Sequence, residues 1–156
     1  MYGGKRLAMS APVLSYLGFD WGRLRIGVAS GNTLLKSAQS VTTLIEQGAA
    51  RQQAVVKLVR EWRPSALVAG VPYHPDGAPH KNTKLAKQFA QELRDWTGLV
   101  VHEVDERYST TEAKSSYGLQ NTDNHAASSK AKNKAEKKID ALSACVILEQ
   151  YMRGLA

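Results

Sequence analysis

Val13-Leu14-Ser15-Tyr16-Leu17-Gly18-Phe19 is an almost unbroken apolar run that stops on a carboxylate, Asp20. A segment of that length and composition suits a central strand buried on both faces. It is far too short to cross a bilayer, which takes about 20 residues, and the other apolar runs, such as Ala66 to Val71, are no longer. The chain of 156 residues is the size of one α/β domain and buries enough surface to need no disulfide or structural metal. A lone cysteine, Cys145, lies in an apolar helical pattern and reads as a buried, inert thiol.

The remaining pattern places further strands and helices around that first one. Ile26-Gly27-Val28-Ala29 follows Trp21-Gly22-Arg23-Leu24-Arg25 closely enough to form a hairpin, and Gln39 to Leu44 is a third strand. Ala54, Val55, Leu58, Val59 and Trp62 follow helical spacing until Arg63-Pro64, and Ala66 to Val71 reads as a buried parallel strand. Leu85, Phe89, Leu93 and Trp96 mark a second helix closed by Gly98, before a strand over Leu99 to Val104 that delivers Asp105 and Glu106. Ser109 and Glu112 have capping-box spacing, predicting a helix to about Leu119. Gln120 to Lys138, rich in lysine, reads as a mobile basic loop entering a last helix over Ala135 to Met152. On that helix Ile139, Leu142 and Val146 form one stripe, and Asp140, Ala144, Ile147 and Tyr151 the next.

Residues 1–12 read as a flexible leader and 13–156 as a single domain. The basic N-terminus has no apolar stretch of signal-peptide length, so a cytoplasmic location is expected, with no membrane partner. Twenty-one Lys and Arg against fourteen Asp and Glu give a net charge of +7, which suits a polyanionic partner.

Within this basic chain three acids stand out: Asp20 at the end of a buried strand, Glu106 just past another, and Asp140 beside an apolar helix stripe. Burying isolated carboxylates costs several kcal/mol, so each needs a cation or a donor. Hard divalent ions take oxygen ligands from a few carboxylates, water and phosphate. Two such ions about 3.5–4 Å apart activate water on one side of a phosphodiester and stabilise the leaving oxygen on the other. Taken singly, each acid also has a plain structural reading. Asp20 can form a turn with Gly22, Glu106 can pair with Arg107, and Asp140 can pair with Lys137 or Lys138.

Leu17-Gly18-Phe19-Asp20-Trp21-Gly22, Arg25-Ile26-Gly27-Val28-Ala29, Val68-Ala69-Gly70-Val71-Pro72, Asp76-Gly77, Asp105-Glu106-Arg107-Tyr108-Ser109-Thr110-Thr111-Glu112-Ala113 and Lys138-Ile139-Asp140-Ala141 together resemble the YqgF family over residues 13–153. The resemblance implies an RNase H-like fold, a five-stranded mixed sheet flanked by helices. It also implies a nuclease of the Holliday junction resolvase-like group that matures the 5′ end of pre-16S ribosomal RNA. The implied catalytic and metal-holding residues are Asp20, Glu106 and Asp140, with Mg²⁺ or Mn²⁺ as two ions. Val71 where leucine is usual, Tyr73-His74-Pro75 in place of an amide-rich segment, and Ser30-Gly31-Asn32 without an acid depart from the family pattern and bear on substrate preference.

In the usual strand order of that fold Asp20 and Glu106 leave strands two positions apart, about 10 Å at roughly 4.8 Å per strand. Glu106 then either reaches the site through its longer side chain or binds only one ion, with Asp105 as the alternative acid. Arg23, Arg25, Arg107 and Lys138 are the candidate nucleic-acid contacts. Trp21 and Tyr73 can stack on bases or simply pack, and His74, His80, His102 and His125 show no metal-ligand spacing. The expected partners are structured RNA or branched DNA and ribosomal precursor particles. A two-fold dimer suits a symmetric junction and a monomer suits single-site RNA cleavage. Three other functions compete with RNA maturation: a junction resolvase, a catalytically silent RNA-binding module, and an ATPase using Asp20-Trp21-Gly22 on phosphate. The last lacks a second domain and a Gly-rich loop.

Overall fold

The structure is a computed structural model that describes residues 12–106 and 129–155, and side chains at all of these except 129–133. Arg107, the Ser109–Glu112 capping box with its expected helix, His125 and the leader through residue 11 lie outside the described residues.

Five strands form one mixed sheet in the order β3-β2-β1-β4-β5, with β1 Ser15–Trp21, β2 Ile26–Asn32, β3 Ala38–Leu44, β4 Ala66–Val71 and β5 Val101–Asp105. The pairs β1–β2 and β2–β3 are antiparallel, while β1–β4 and β4–β5 are parallel. The five-stranded mixed sheet expected from the sequence is therefore present. Asp20 lies inside β1 rather than beyond its end, paired with Gly27 across the hairpin.

Helices α1 (Gly48–Trp62) and α2 (Thr83–Thr97) cover one face, and α3 (Ser129–Arg153) covers the other. α1 stops where Arg63 turns left-handed and donates its N–H to Val59 O, one residue before Pro64 blocks continuation. α2 stops at Gly98, left-handed at φ 69°, by the same bond to Arg94 O. Towards α1 and α2 the sheet turns Leu17, Phe19, Ile26, Val28, Leu67 and Ala69, which meet Val55, Phe89 and Leu93. Trp21 packs against this core, so packing accounts for its placement.

The opposite face carries small residues because α3 lies close upon it. A Cβ at Gly18 would stand 2.9 Å from Leu148 Cβ, and one at Gly31 would stand 2.8 Å from Met152 Cε. One at Gly27 would overlap the Asp140 carbonyl oxygen outright. The contact stripe of α3 is Ala144, Cys145, Leu148 and Met152, all buried, whereas Ile139 of the expected apolar stripe is 40% exposed. The physical reason is depth: the sheet glycines make room for Leu148 and Met152, and Ile139 lies off the stripe that they set. Burial pushes the Cys145 thiol pKa up, as an inert thiol requires.

α3 begins at Ser129, six residues before the expected start, so Lys130 to Lys134 belong to a helix and not to a loop. Lysine and alanine are strong helix formers, which favours helix across Lys130 to Lys134 despite Asn133.

Candidate active site

Three register relations decide where the acids stand. Asp20 pairs with Gly27 on β2, and Phe19 pairs with Ala69 on β4, which sets Asp20 beside Gly70. Gly70 in turn pairs with Val104 on β5. Gly27, Asp20, Gly70 and Val104 thus form one row across four strands, on the face covered by α3.

Each glycine in that row admits an acid-bearing segment. Gly27 lets the α3 backbone down onto the sheet at Asp140. Gly70 leaves a space that the Glu106 carboxylate fills: Oε1 stands 2.5 Å from where a Cβ would be, with Ile147 Cδ1 at 2.6 Å. Glu106 therefore lies back over β4, the strand between it and Asp20, with its carboxylate above Gly70. Asp105 pairs with Val71 and so takes the face of Leu67 and Ala69, opposite to Asp20. Its carbonyl accepts from Gln150 Nε2 at 3.4 Å. Glu103 also points to that side, where Arg94 holds it at 3.0 Å.

Asp140 pairs with neither Lys137 nor Lys138. Arg25 Nε donates to Asp140 Oδ2 at 2.6 Å, and a terminal nitrogen of Arg25 lies 3.1 Å from Glu136 Oε2. This bond to Asp140, followed by its charge and that of Glu136, raises the Arg25 pKa against the opposing effect of burial. The hairpin delivers Arg25 because Gly22 lets the chain close: a Cβ there would stand 2.5 Å from Arg25 O. Arg25 is thus held on α3 by Asp140 and Glu136 rather than standing as a solvated hairpin edge. Arg23 is exposed on the same turn, and its carbonyl accepts from Gln47 and Arg51. Lys138 is exposed one turn from the edge strand β3, whose Thr43 hydroxyl donates to Lys137 O.

Oxygen-only donors suit a hard divalent cation in kind, and the Gly70 cradle directs one of them inward. Among the described residues no three His, Cys, Asp or Glu side chains stand close enough together to hold one ion, and Asp140 is engaged by Arg25. The donors suit the metal in kind, and Asp140 already carries a cationic partner. His74 and His80 meet at 4.9 Å between ring centroids, while His102 stacks on Tyr151. Tyr73 sits in the same clipped loop, 5.9 Å beneath Lys87 Nζ.

Sequence reasoning passed over Gly27, Gly70 and Glu136. The first two were signalled by glycine inside strands, which marks close approach of another chain segment, and the third by its four-residue spacing from Asp140.

A family described as "RuvX: Holliday junction resolvase" matches residues 14–154. A protein of Polaromonas sp. (strain JS666) named "Putative pre-16S rRNA nuclease" is 45% identical over 94% of this chain and 94% of its own length. One of the same name from Albidiferax ferrireducens is 39% identical over 98% of this chain and 86% of its own. Among solved structures, Thermus thermophilus RuvC in complex with a Holliday junction substrate superposes with a TM-score of 0.53 at 12% identity, covering 90% of this chain and 97% of that one. That likeness establishes the RNase H-like fold. With its family match running through every described strand and helix, and relatives alike along nearly their whole length, the chain belongs to the RuvX (YqgF) family.

Proposed function

We propose that the chain is a divalent-metal-dependent endonuclease that hydrolyses phosphodiesters in structured nucleic acid, and that its task is maturing the 5′ end of pre-16S ribosomal RNA in the cytoplasm. The observation that carries this reading is the row in which glycines on both sides of Asp20 admit Glu106 and the Asp140 segment. The names of the relatives support the RNA substrate. The family description supports a four-way DNA junction as the second reading.

Asp20, Glu106 and Asp140 would hold Mg²⁺ or Mn²⁺. When bound, such ions offset phosphate charge and lower the pKa of water. The chain's own part is to keep three carboxylates at one end of a rigid sheet and to draw the polyanion there. The +7 charge serves that second role, with Arg23, Arg25, Arg107 and Lys138 as the proposed nucleic-acid contacts. The described helices include none long and apolar enough to cross a membrane.

The test is side-by-side cleavage of a 5′-extended 16S precursor fragment and a four-way DNA junction, with Mg²⁺, Mn²⁺ or EDTA, by wild type and Asp20→Asn purified identically. The precursor should be cut only with metal, at least about a hundredfold more slowly by the variant, since each 1.36 kcal/mol lost is tenfold in rate. Preferred cutting of the junction would establish the second reading. Cleavage that survives EDTA or the substitution would refute a metal nuclease built on Asp20.

A further inference from the structure

Arg25 joins two carboxylates one helical turn apart on α3, a use of the planar guanidinium fork that a lysine cannot reproduce. The side chains of the Arg25–Asp140 pair are only 30% and 25% exposed, so solvent screens it less than an open surface pair. Glu136 and Asp140 would repel each other at this spacing, and Asp20 and Glu106 add negative charge to the same end of the sheet. A fixed positive group here answers the electrostatic need that a divalent cation would answer. The two are also mutually repulsive neighbours, because a guanidinium 2.6 Å from Asp140 Oδ2 opposes a second cation on the same carboxylate.

We propose that Arg25 is an internal competitor of the metal. In the metal-free protein it occupies Asp140 and Glu136, and it releases Asp140 when a divalent cation binds there. The inference rests on the metal-nuclease reading above. Its consequence is a positioning role: the freed guanidinium remains on the hairpin that follows Asp20, at the end of the sheet where substrate phosphates would lie. Metal and polyanion binding are thereby coupled through one side chain. A residue that only braces the helix would act oppositely, since its loss would loosen α3 and weaken the metal site.

The two roles differ in the sign of one measurable effect, Mn²⁺ affinity without substrate. Titration of the full chain with Mn²⁺, followed by calorimetry and by the electron spin resonance of free ion, is carried out on wild type, Arg25→Gln, Arg25→Lys, Arg23→Gln and Asp20→Asn. Thermal melting checks that each variant is folded. Arg25→Gln should bind Mn²⁺ about fivefold more tightly, as expected when a partly exposed ion pair no longer competes. Arg25→Lys, which keeps the charge and loses the fork, should fall between it and wild type. Arg23→Gln removes the same charge two residues away and should change affinity less than twofold, as a local effect requires. Unchanged or weaker binding by folded Arg25→Gln would overturn the proposal, as would equal tightening by Arg23→Gln. If wild type binds Mn²⁺ no better than Asp20→Asn, the metal reading itself fails. If only Asp20→Asn loses binding and Arg25→Gln gains none, that reading stands and the competitor alone falls.

Discussion

On the face covered by α1 and α2 the sheet presents Leu17, Phe19, Ile26, Val28 and Leu67, each no more than 1% exposed. On the face covered by α3 it presents Gly18, Gly27, Ala29, Gly31 and Gly70. The first face fills space with large side chains, including an edge-to-face pair of Phe19 and Phe89 at 6.0 Å, and buries apolar area at about 25 cal/mol per Å². The second face gives up part of that area at its glycines so that a helix backbone can approach, while Tyr16, Val68 and Val104 still pack with α3. What it obtains is position: the α3 backbone at Asp140 comes down on Gly27 and the Glu106 carboxylate over Gly70, on either side of Asp20. Both sides of the same five strands are buried cores, and they differ in how closely a helix backbone approaches the sheet.

Gly27→Ala should produce the largest effect on this division. Its Cβ would meet the backbone of α3 at Asp140, which cannot rotate away, so the helix must lift from the sheet. A loss of at least about 3 kcal/mol is expected in denaturant unfolding, at the upper end of overpacking costs, and Mn²⁺ binding should be lost with it. A stable Gly27→Ala variant with intact cleavage would show that close approach of α3 is not what builds the site.

Gly70→Ala separates the two functions of the face. The atoms it meets, Glu106 Oε1 and Ile147 Cδ1, are ends of side chains that can move. Unfolding should cost only about 1–2 kcal/mol, while cleavage should fall at least about tenfold as Glu106 leaves the row, a barrier rise near 1.4 kcal/mol. Equal activity at full metal saturation would remove Glu106 from the site.

The layers and most elements were legible in the sequence because apolar runs and helical spacing are local signals. Pro64 and Gly98 ended their helices as expected, and β4 matches its apolar run residue for residue. The onset of α3 was less legible, since a lysine-rich stretch announces solvation and not conformation. What singles out the three acids in the sequence is placement, each beside an apolar segment. Arg25 was not, because its partner lies 115 residues away and only folding brings them together. The face taken by Asp105 follows from the β4–β5 register, which no local pattern encodes. Gly70 was visible as a glycine in a buried strand, but its meaning required knowing that Glu106 leans over it.

The central claim, that Asp20, Glu106 and Asp140 are one metal site, is tested most directly by the anomalous scattering of crystals soaked in Mn²⁺. The expected result is a manganese peak in contact with all three carboxylates, with Arg25 withdrawn from Asp140. Manganese bound only elsewhere, such as between His74 and His80, with the Arg25–Asp140 pair intact at saturating metal, would contradict it.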